Sequence, residues 1–126
     1  MPAKSLQGVG VLVTRPQQQS HALAAAITRE GGNAVRFATI EVVARNAADV
    51  AEEAYKLPEP DIAIFVSGNA VRHGIEHADN ARIAVVGPAS AEAVVAAGRK
   101  VDIMPTDGFD SEHLLTLSEL FDVAGK

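Results

Sequence analysis

The sequence predicts an α/β protein built on a parallel β-sheet. Five short apolar runs recur along the chain, and each is followed by a segment with helical periodicity. The runs are rich in β-branched residues and apolar on both sides, which is typical of strands that helices cover on both faces. These predicted strands are residues 9–13, 34–43, 62–66, 83–86 and 101–104.

The segments that follow the apolar runs predict five helices. The first, residues 18–30, has an apolar face and stops at a pair of glycines, Gly31 and Gly32. The second, residues 47–56, stops before Pro58. The remaining predicted helices are residues 69–77, 89–97 and 111–121.

The alternation of strands and helices also predicts how the sheet is ordered. Right-handed crossovers between parallel strands give a three-layer α/β/α domain with five strands. The leading topology is the doubly wound, flavodoxin-like order 2-1-3-4-5. A chain of 126 residues has the length of one such domain.

Composition and charge exclude several classes of function. The formal charge is −5 and Lys and Arg form no cluster, which argues against a nucleic-acid partner or a membrane-surface anchor. The absence of cysteine excludes disulfides, thiolate metal sites and a cysteine nucleophile. No apolar run approaches the roughly 18 residues of a membrane span, and no signal-peptide core follows the N-terminus. We therefore expect a cytoplasmic protein.

The glycines do not form a nucleotide-binding fingerprint. Gly8 and Gly10 precede the first strand, whereas a dinucleotide motif needs its glycines after that strand. The first strand is followed by Thr14, Arg15 and Pro16, and proline suits the first turn of a helix. The same position lacks the acidic cluster of a phosphoacceptor receiver domain. Neither class of protein is favoured.

Small polar residues stand where the later strands end. Ser67, Gly68 and Asn69 follow the third strand, and residues 87–90 and 105–111 follow the fourth and fifth. In a parallel sheet these turns lie at one edge, beside helix N-termini whose free N–H groups attract anions. Ser67, Asn69 and Ser90 could simply cap helices. The recurrence of the pattern favours a cleft that binds carboxylate or phosphate groups.

The histidines give weaker signals. His73 and His77 match an H-x-x-E-H zinc motif, but a site also needs a third ligand, and Gly74 weakens the helix by about 1 kcal/mol relative to alanine. A solvated helix surface is the favoured interpretation. His21 and His113 have no serine or aspartate partners at the spacing of a hydrolase triad.

Five segments of the chain form a recognisable series. They are VLVTRP at residues 11–16, the helix with Leu23 and Ala24 that ends in glycine, IFVSGNAV at 64–71, AVVGPASAEAV at 84–94 and SEHLL at 111–115. Together they resemble the uroporphyrinogen-III synthase family. Their order and spacing match the family from about residue 9 to the C-terminus. The second strand departs from the pattern, because residues 37–40 lack the proline that commonly precedes the aliphatic pair.

The resemblance implies an enzyme of tetrapyrrole (haem) biosynthesis. Family members are carbon–oxygen hydro-lyases that cyclise hydroxymethylbilane, a linear tetrapyrrole with eight carboxylates, to uroporphyrinogen III with inversion of the last ring, ring D. The resemblance implies that no metal or organic cofactor takes part. The proposed route passes through an azafulvene and a spiro intermediate, so the protein would act mainly by holding the two ends of the substrate together.

The motifs also imply which residues contact the substrate. Ser67 and the amides that follow it would bind carboxylates, and Ser90 would do so from the fourth strand. The tyrosine usually proposed to assist loss of the hydroxyl lies in the family's second half, so we predict no catalytic residue here. Tyr55, on a predicted surface helix, is not its substitute. The substrate-binding residues implied are Thr14, Arg15, Ser67, Gly68, Asn69, Ala70, Gly87, Ser90 and Ser111.

Family chains are about twice this length and form two similar domains. The resemblance therefore implies an N-terminal half with weak or no activity alone. Residues 1–40 would supply two strands and a helix, residues 41–46 a crossing linker, and residues 47–126 the other three strands. Either the five strands close on one another, or two copies exchange their first two strands in a homodimer; the linker favours exchange. The alternative function is a non-catalytic flavodoxin-like module that binds an acidic small molecule at the strand ends.

Overall fold

The computed structural model describes residues 4–126, which divide into two compact units. The first unit ends at Ala44 and the second begins at Arg45. Both units contain parallel strands and helices, so the predicted α/β class is confirmed. The described residues form two small sheets of two strands each. A continuous five-stranded sheet stays a prediction.

The first unit is a single strand–helix–strand motif. Its elements are β1 (Gly10–Val13), α1 (Gln17–Arg29) and β2 (Asn33–Arg36). The two strands pair in parallel, with Val13 opposite Arg36. Val13 of β1 and Ile27 of α1 are buried. Alternate residues of a strand point to the same face, and one face of this sheet is turned toward α1. The other face of the sheet is open, and its apolar side chains Leu12 and Val35 are exposed register partners.

Helix α1 ends at the glycines that the sequence indicates. Gly31 has a φ of +84°, a left-handed conformation that residues with a Cβ rarely adopt. The amides of Gly31 and Gly32 donate to the carbonyls of Thr28 and Ile27, both at 3.0 Å. These bonds satisfy carbonyls of the last helical turn and turn the chain toward β2.

The second strand is shorter than predicted. The amides of Phe37 and Thr39 still donate to the carbonyls of Val13 and Thr14, at 2.9 and 3.3 Å, but the strand itself ends at Arg36. The prediction of a strand as far as residue 43 is therefore wrong. The apolar side chains beyond Arg36 do not enter a core, because Phe37, Ile40 and Val43 are all exposed. These apolar side chains suggested a buried strand, but none of the elements described for this unit covers them.

The second unit alternates strands and helices as predicted, with shorter elements. The third and fifth predicted helices each divide into a short α-helix and a 3₁₀ turn, Ile75–His77 and Ser118–Leu120 respectively. The first division falls at Gly74, a residue that packs too closely against the Phe65 ring to gain a side chain easily. The elements are α2 (Ala47–Tyr55), β3 (Ile62–Phe65), α3 (Gly68–Gly74), β4 (Arg82–Val85), α4 (Pro88–Ala96) and α5 (Ser111–Leu115).

Strand β4 of the second unit is covered on both faces. Ile83 and Val85 of β4 point to one face, where they join a buried cluster with Val71 of α3 and Val94 of α4. Ala84 points to the other face and packs in a second cluster that includes Leu114 of α5. Successive side chains of β4 thus point alternately into two apolar clusters, as expected for a central strand of a parallel sheet.

The predicted fifth strand is reduced to one bridge. Ile103 pairs in parallel with Ala84, and its carbonyl accepts from the amide of Val85 at 2.9 Å. The ladder stops there because the carboxylate of Asp102 accepts the amide hydrogen of Ile83, at 2.8 Å, in place of a backbone carbonyl. The prediction of a strand over residues 101–104 has the right position and direction and is too long.

Candidate functional site

The corner between β3 and α3 combines a capping serine with a glycine. Ser67 has extended backbone angles, and its hydroxyl oxygen accepts from the amide of Ala70 at 3.1 Å. The capping interpretation is confirmed for Ser67. Asn69 does not cap the helix; its side-chain oxygen accepts from the guanidinium of Arg72. Gly68 begins the helix and leaves the corner free of a side chain at that position.

The corner between β4 and α4 has no side-chain cap. Gly87 precedes the helix in an extended conformation, Pro88 is its first residue, and no acidic residue stands in its first turn. Ser90 is buried in that turn. Uncapped N–H groups at the positive end of a helix dipole attract an anion. The backbone N–H groups in the first turn of α4 are therefore not used by a side-chain cap and can donate to an anionic ligand.

These two corners lie close together at the carboxyl ends of β3 and β4. A Cβ placed on Gly68 would lie 3.9 Å from the Cβ of Ala93, on α4. A Cβ placed on Gly87 would lie 3.1 Å from the Cβ of Phe109, in the loop that leads to α5. Gly68 thus lies against the second half of α4, and Gly87 lies against Phe109. Phe65 and Val85 are the last register pair of the two strands, so both corners follow directly after it.

The loop before α5 adds an acidic cap that the sequence reading missed. Asp110 precedes the helix, and one of its carboxylate oxygens accepts from the amide of His113 at 2.8 Å. The ring Nδ1 of His113 lies 2.6 Å from the same oxygen. The amide and ring hydrogen bonds from His113 lower the pKa of Asp110. The sequence signal for this cap is an aspartate directly before a predicted helix, a position where aspartate commonly caps the helix N-terminus. Ser111, the residue predicted here, is exposed.

The first unit contains the two other predicted site residues. The carbonyl of Thr14 accepts from the amide and hydroxyl of Thr39, at 3.3 and 3.2 Å. Arg15 donates to the side chain of Gln19 at 3.4 Å. Beside them is a cavity of about 640 Å³, formed between residues 16–19 at the start of α1 and residues 38–42 after β2. A cavity with both polar and apolar lining residues therefore lies at the carboxyl ends of β1 and β2.

The weaker motifs find no partners in the described part of the chain. Among residues 4–126 there is no group of three or more His, Asp or Glu side chains placed to hold a metal ion, so the H-x-x-E-H match has no third ligand. His77 lies in the 3₁₀ turn rather than on α3. Tyr55 is 91% exposed on α2. Within the same residues no helix has the length and apolar character needed to cross a bilayer.

Fold and site together define an α/β protein with parallel strands and glycine-containing strand-to-helix corners. The family model for uroporphyrinogen-III synthase HemD matches residues 21–125. The chain therefore belongs to the uroporphyrinogen-III synthase family, and the resemblance seen in the motifs is confirmed.

A curated relative agrees with this assignment. A protein of Methanocaldococcus jannaschii, named as a candidate uroporphyrinogen-III synthase, is 29% identical over 109 residues. The match covers 83% of this chain and 45% of the relative. The chain thus spans about half the length of that protein.

Proposed function

We propose that this protein acts in the closure of a linear tetrapyrrole, hydroxymethylbilane, to uroporphyrinogen III with inversion of ring D. Family membership supplies the reaction. The observation that supports substrate binding is that the Gly68 and Gly87 corners both follow the last register pair, Phe65 and Val85, of two adjacent parallel strands. Two helix N-termini meet there, which suits a ligand that presents several carboxylates.

The chemistry of the corners fits carboxylate recognition. The oxygen of Ser67 accepts from Ala70, so its hydroxyl hydrogen is still available to donate to a carboxylate. Gly68 lets the ligand approach the backbone closely. Hydrogen bonds to charged groups contribute roughly 1.5–3 kcal/mol each before ordering costs. We assign substrate binding to Thr14, Arg15, Ser67, Gly68, Asn69, Ala70, Gly87, Ser90 and Ser111.

Catalysis in this proposal comes from positioning. Closure joins the two ends of one molecule, and holding them together removes much of the entropic barrier. None of the proposed binding residues supplies an acid for loss of the hydroxyl. We therefore propose weak activity for the chain alone.

The isomer produced from hydroxymethylbilane tests the function. With the protein coupled to hydroxymethylbilane production, we expect a higher fraction of isomer III than in the reaction without protein, where spontaneous closure gives isomer I. The fraction should rise with protein concentration, because the catalysed reaction competes with a spontaneous one. The products are measured chromatographically after oxidation to porphyrins.

Two variants make this assay specific. Gly68→Glu puts a carboxylate at the corner, next to the Arg72 guanidinium that would lie 3.5 Å from its Cβ, and should abolish the enrichment. Ser118→Glu adds the same charge at an exposed 3₁₀ turn and should leave the enrichment unchanged. If the native chain gives no more isomer III than the protein-free reaction at any concentration, the catalytic role is refuted and an acid-binding module remains.

We further propose that two copies exchange their first two strands. Residues 1–40 of one copy would complete the sheet formed by residues 47–126 of the other, with residues 41–46 as the crossing linker. Each sheet taken by itself supports this, since within the described residues β1 pairs only with β2 and β3 only with β4. Isolated two-stranded sheets are marginally stable. Ile64 of β3 is half exposed and lines an apolar cavity of about 420 Å³, which an added element would fill.

Light scattering after size-exclusion chromatography tests the exchange. We expect a mass of twice the 13.1 kDa of one chain at high protein concentration. Ile64→Lys should shift the population toward monomer, because it places a charge in the face to be covered. Val95→Lys, on an exposed position of α4, should not. A strictly monomeric native chain at high concentration would rule out the dimer in favour of an unexchanged sheet.

A further inference from the structure

One cation of the first unit is held in place without a carboxylate partner. Arg36 ends β2, and its Nε donates to the hydroxyl of Ser20 at 3.0 Å while its Nη2 donates to the carbonyl of Gln17 at 3.2 Å. Ser20 is itself only 1% exposed and donates to the same Gln17 carbonyl at 2.9 Å. The guanidinium is therefore fixed at the first turn of α1.

The exposed Arg36 makes no ion pair within the described residues, although the chain has 16 acidic residues and 11 Lys and Arg. Helix α1 has no side-chain cap and no acidic residue in its first turn. Arg36 is exposed, so water solvates its charge, and the nearby positive end of the helix dipole adds to the positive potential there. The guanidinium charge and the positive end of the helix dipole together favour an anion at this position.

A cavity stands where the anion would bind. The 640 Å³ cavity between residues 16–19 and 38–42 adjoins a second one of about 320 Å³, lined by Gln17, Ser20, Arg36 and Ala38. The two share Gln17 and Ala38. Their volumes are in the range of small-molecule sites. Glu41 lines the larger cavity and would repel an acid, so a ligand carboxylate is directed toward the Arg36 end.

We propose that Arg36 is a specificity-determining residue that binds a carboxylate arm of the tetrapyrrole substrate, and that Ser20 is the positioning residue for its guanidinium. This deepens the proposed function and rests on it. Two guanidinium donors are engaged by Ser20 and Gln17, and an arginine has five, so the remaining N–H groups can donate to a carboxylate. The site lies wholly within the first unit.

Titration with uroporphyrin I, a stable fluorescent tetrapyrrole with eight carboxylates, tests the proposal on the full chain. We expect Arg36→Gln to raise the Kd about tenfold to a hundredfold, the range for loss of a hydrogen bond to a charged group. Arg29→Gln removes the same charge at the other end of α1, where Arg29 is exposed, and should change the Kd less than about twofold after salt screening. Arg36→Lys keeps the charge but loses the planar fork, and should recover only part of the affinity.

Ser20→Ala separates positioning from folding. Alanine favours the helix, so we expect an unchanged or higher Tm, while the Kd rises severalfold because the guanidinium loses one of its two fixed bonds. Affinity losses that only follow Tm across the variants would mean that Arg36 merely joins β2 to α1, and would overturn the proposal. Equal Kd values for Arg36→Gln and Arg29→Gln, or no binding by the native chain, would overturn it too.

The outcome is independent of the isomer assay. If Arg36→Gln binds uroporphyrin I as the native chain does while the native chain still enriches isomer III, only the role of Arg36 fails. If the native chain enriches no isomer III but Arg36→Gln still weakens binding, only the catalytic proposal fails.

Discussion

Replacing Ile83 with alanine should lower the free energy of unfolding of the second unit by about 2–5 kcal/mol. Ile83 is 1% exposed at the centre of β4 and packs with Phe65, Val71 and Val94. The loss combines the transfer free energy of the missing carbons with the cavity that they leave in a tightly packed cluster. Urea unfolding followed by circular dichroism measures it, since the chain has no tryptophan and one tyrosine.

Graded and matched variants control this measurement. Ile83→Val removes one methyl group and should cost about 0.5–1.5 kcal/mol. Val95→Ala, at a position of α4 that is 66% exposed, should stay within about 0.5 kcal/mol of the native chain. If Ile83→Ala is no more destabilising than Val95→Ala, the packing of β4 against α3 and α4 is not as described.

The second large effect is expected at Asp102. Its carboxylate accepts the amide hydrogen of Ile83 at 2.8 Å, and Ile83 is buried. Asp102→Ala leaves that N–H without a partner, which should cost about 1–3 kcal/mol. The Ile83 amide should also exchange its hydrogen faster, as measured by nuclear magnetic resonance.

The conservative variant at this position serves as the control. Asp102→Asn keeps a side-chain oxygen as acceptor, so it should retain most of the protection of the Ile83 amide. Unchanged exchange at Ile83 in Asp102→Ala would show that another group accepts this hydrogen bond. The loss of stability would then have to come from elsewhere.

The sequence predicts the order of elements well because the signals are local. The glycine stop after α1 and the proline at the start of α4 each act within one helical turn. The capping role of Ser67 is likewise readable from its place between an apolar run and a helix. The sequence could therefore predict which residues lie at these strand-to-helix corners. Their contact with a ligand stays a proposal.

What the sequence does not predict depends on nonlocal contacts. The length of β2 was overestimated because apolarity alone does not say whether Phe37 and Ile40 find a partner. The fifth strand is cut short by one side chain, Asp102, which competes with a backbone carbonyl across 19 residues of sequence. Arg36 was overlooked for the same reason, because its importance comes from Ser20 and the cavity, 16 residues away along the chain.

The open face of the first unit has a consequence for handling the protein. Leu12 and Val35 are opposite one another in the β1–β2 ladder and are 60% and 49% exposed. Exposed apolar surface beside an unpaired strand edge makes a chain prone to aggregate while it folds. The yield of refolded protein after dilution from denaturant therefore depends on the relative rates of productive association and precipitation. Chaperones that shield apolar segments would raise this yield.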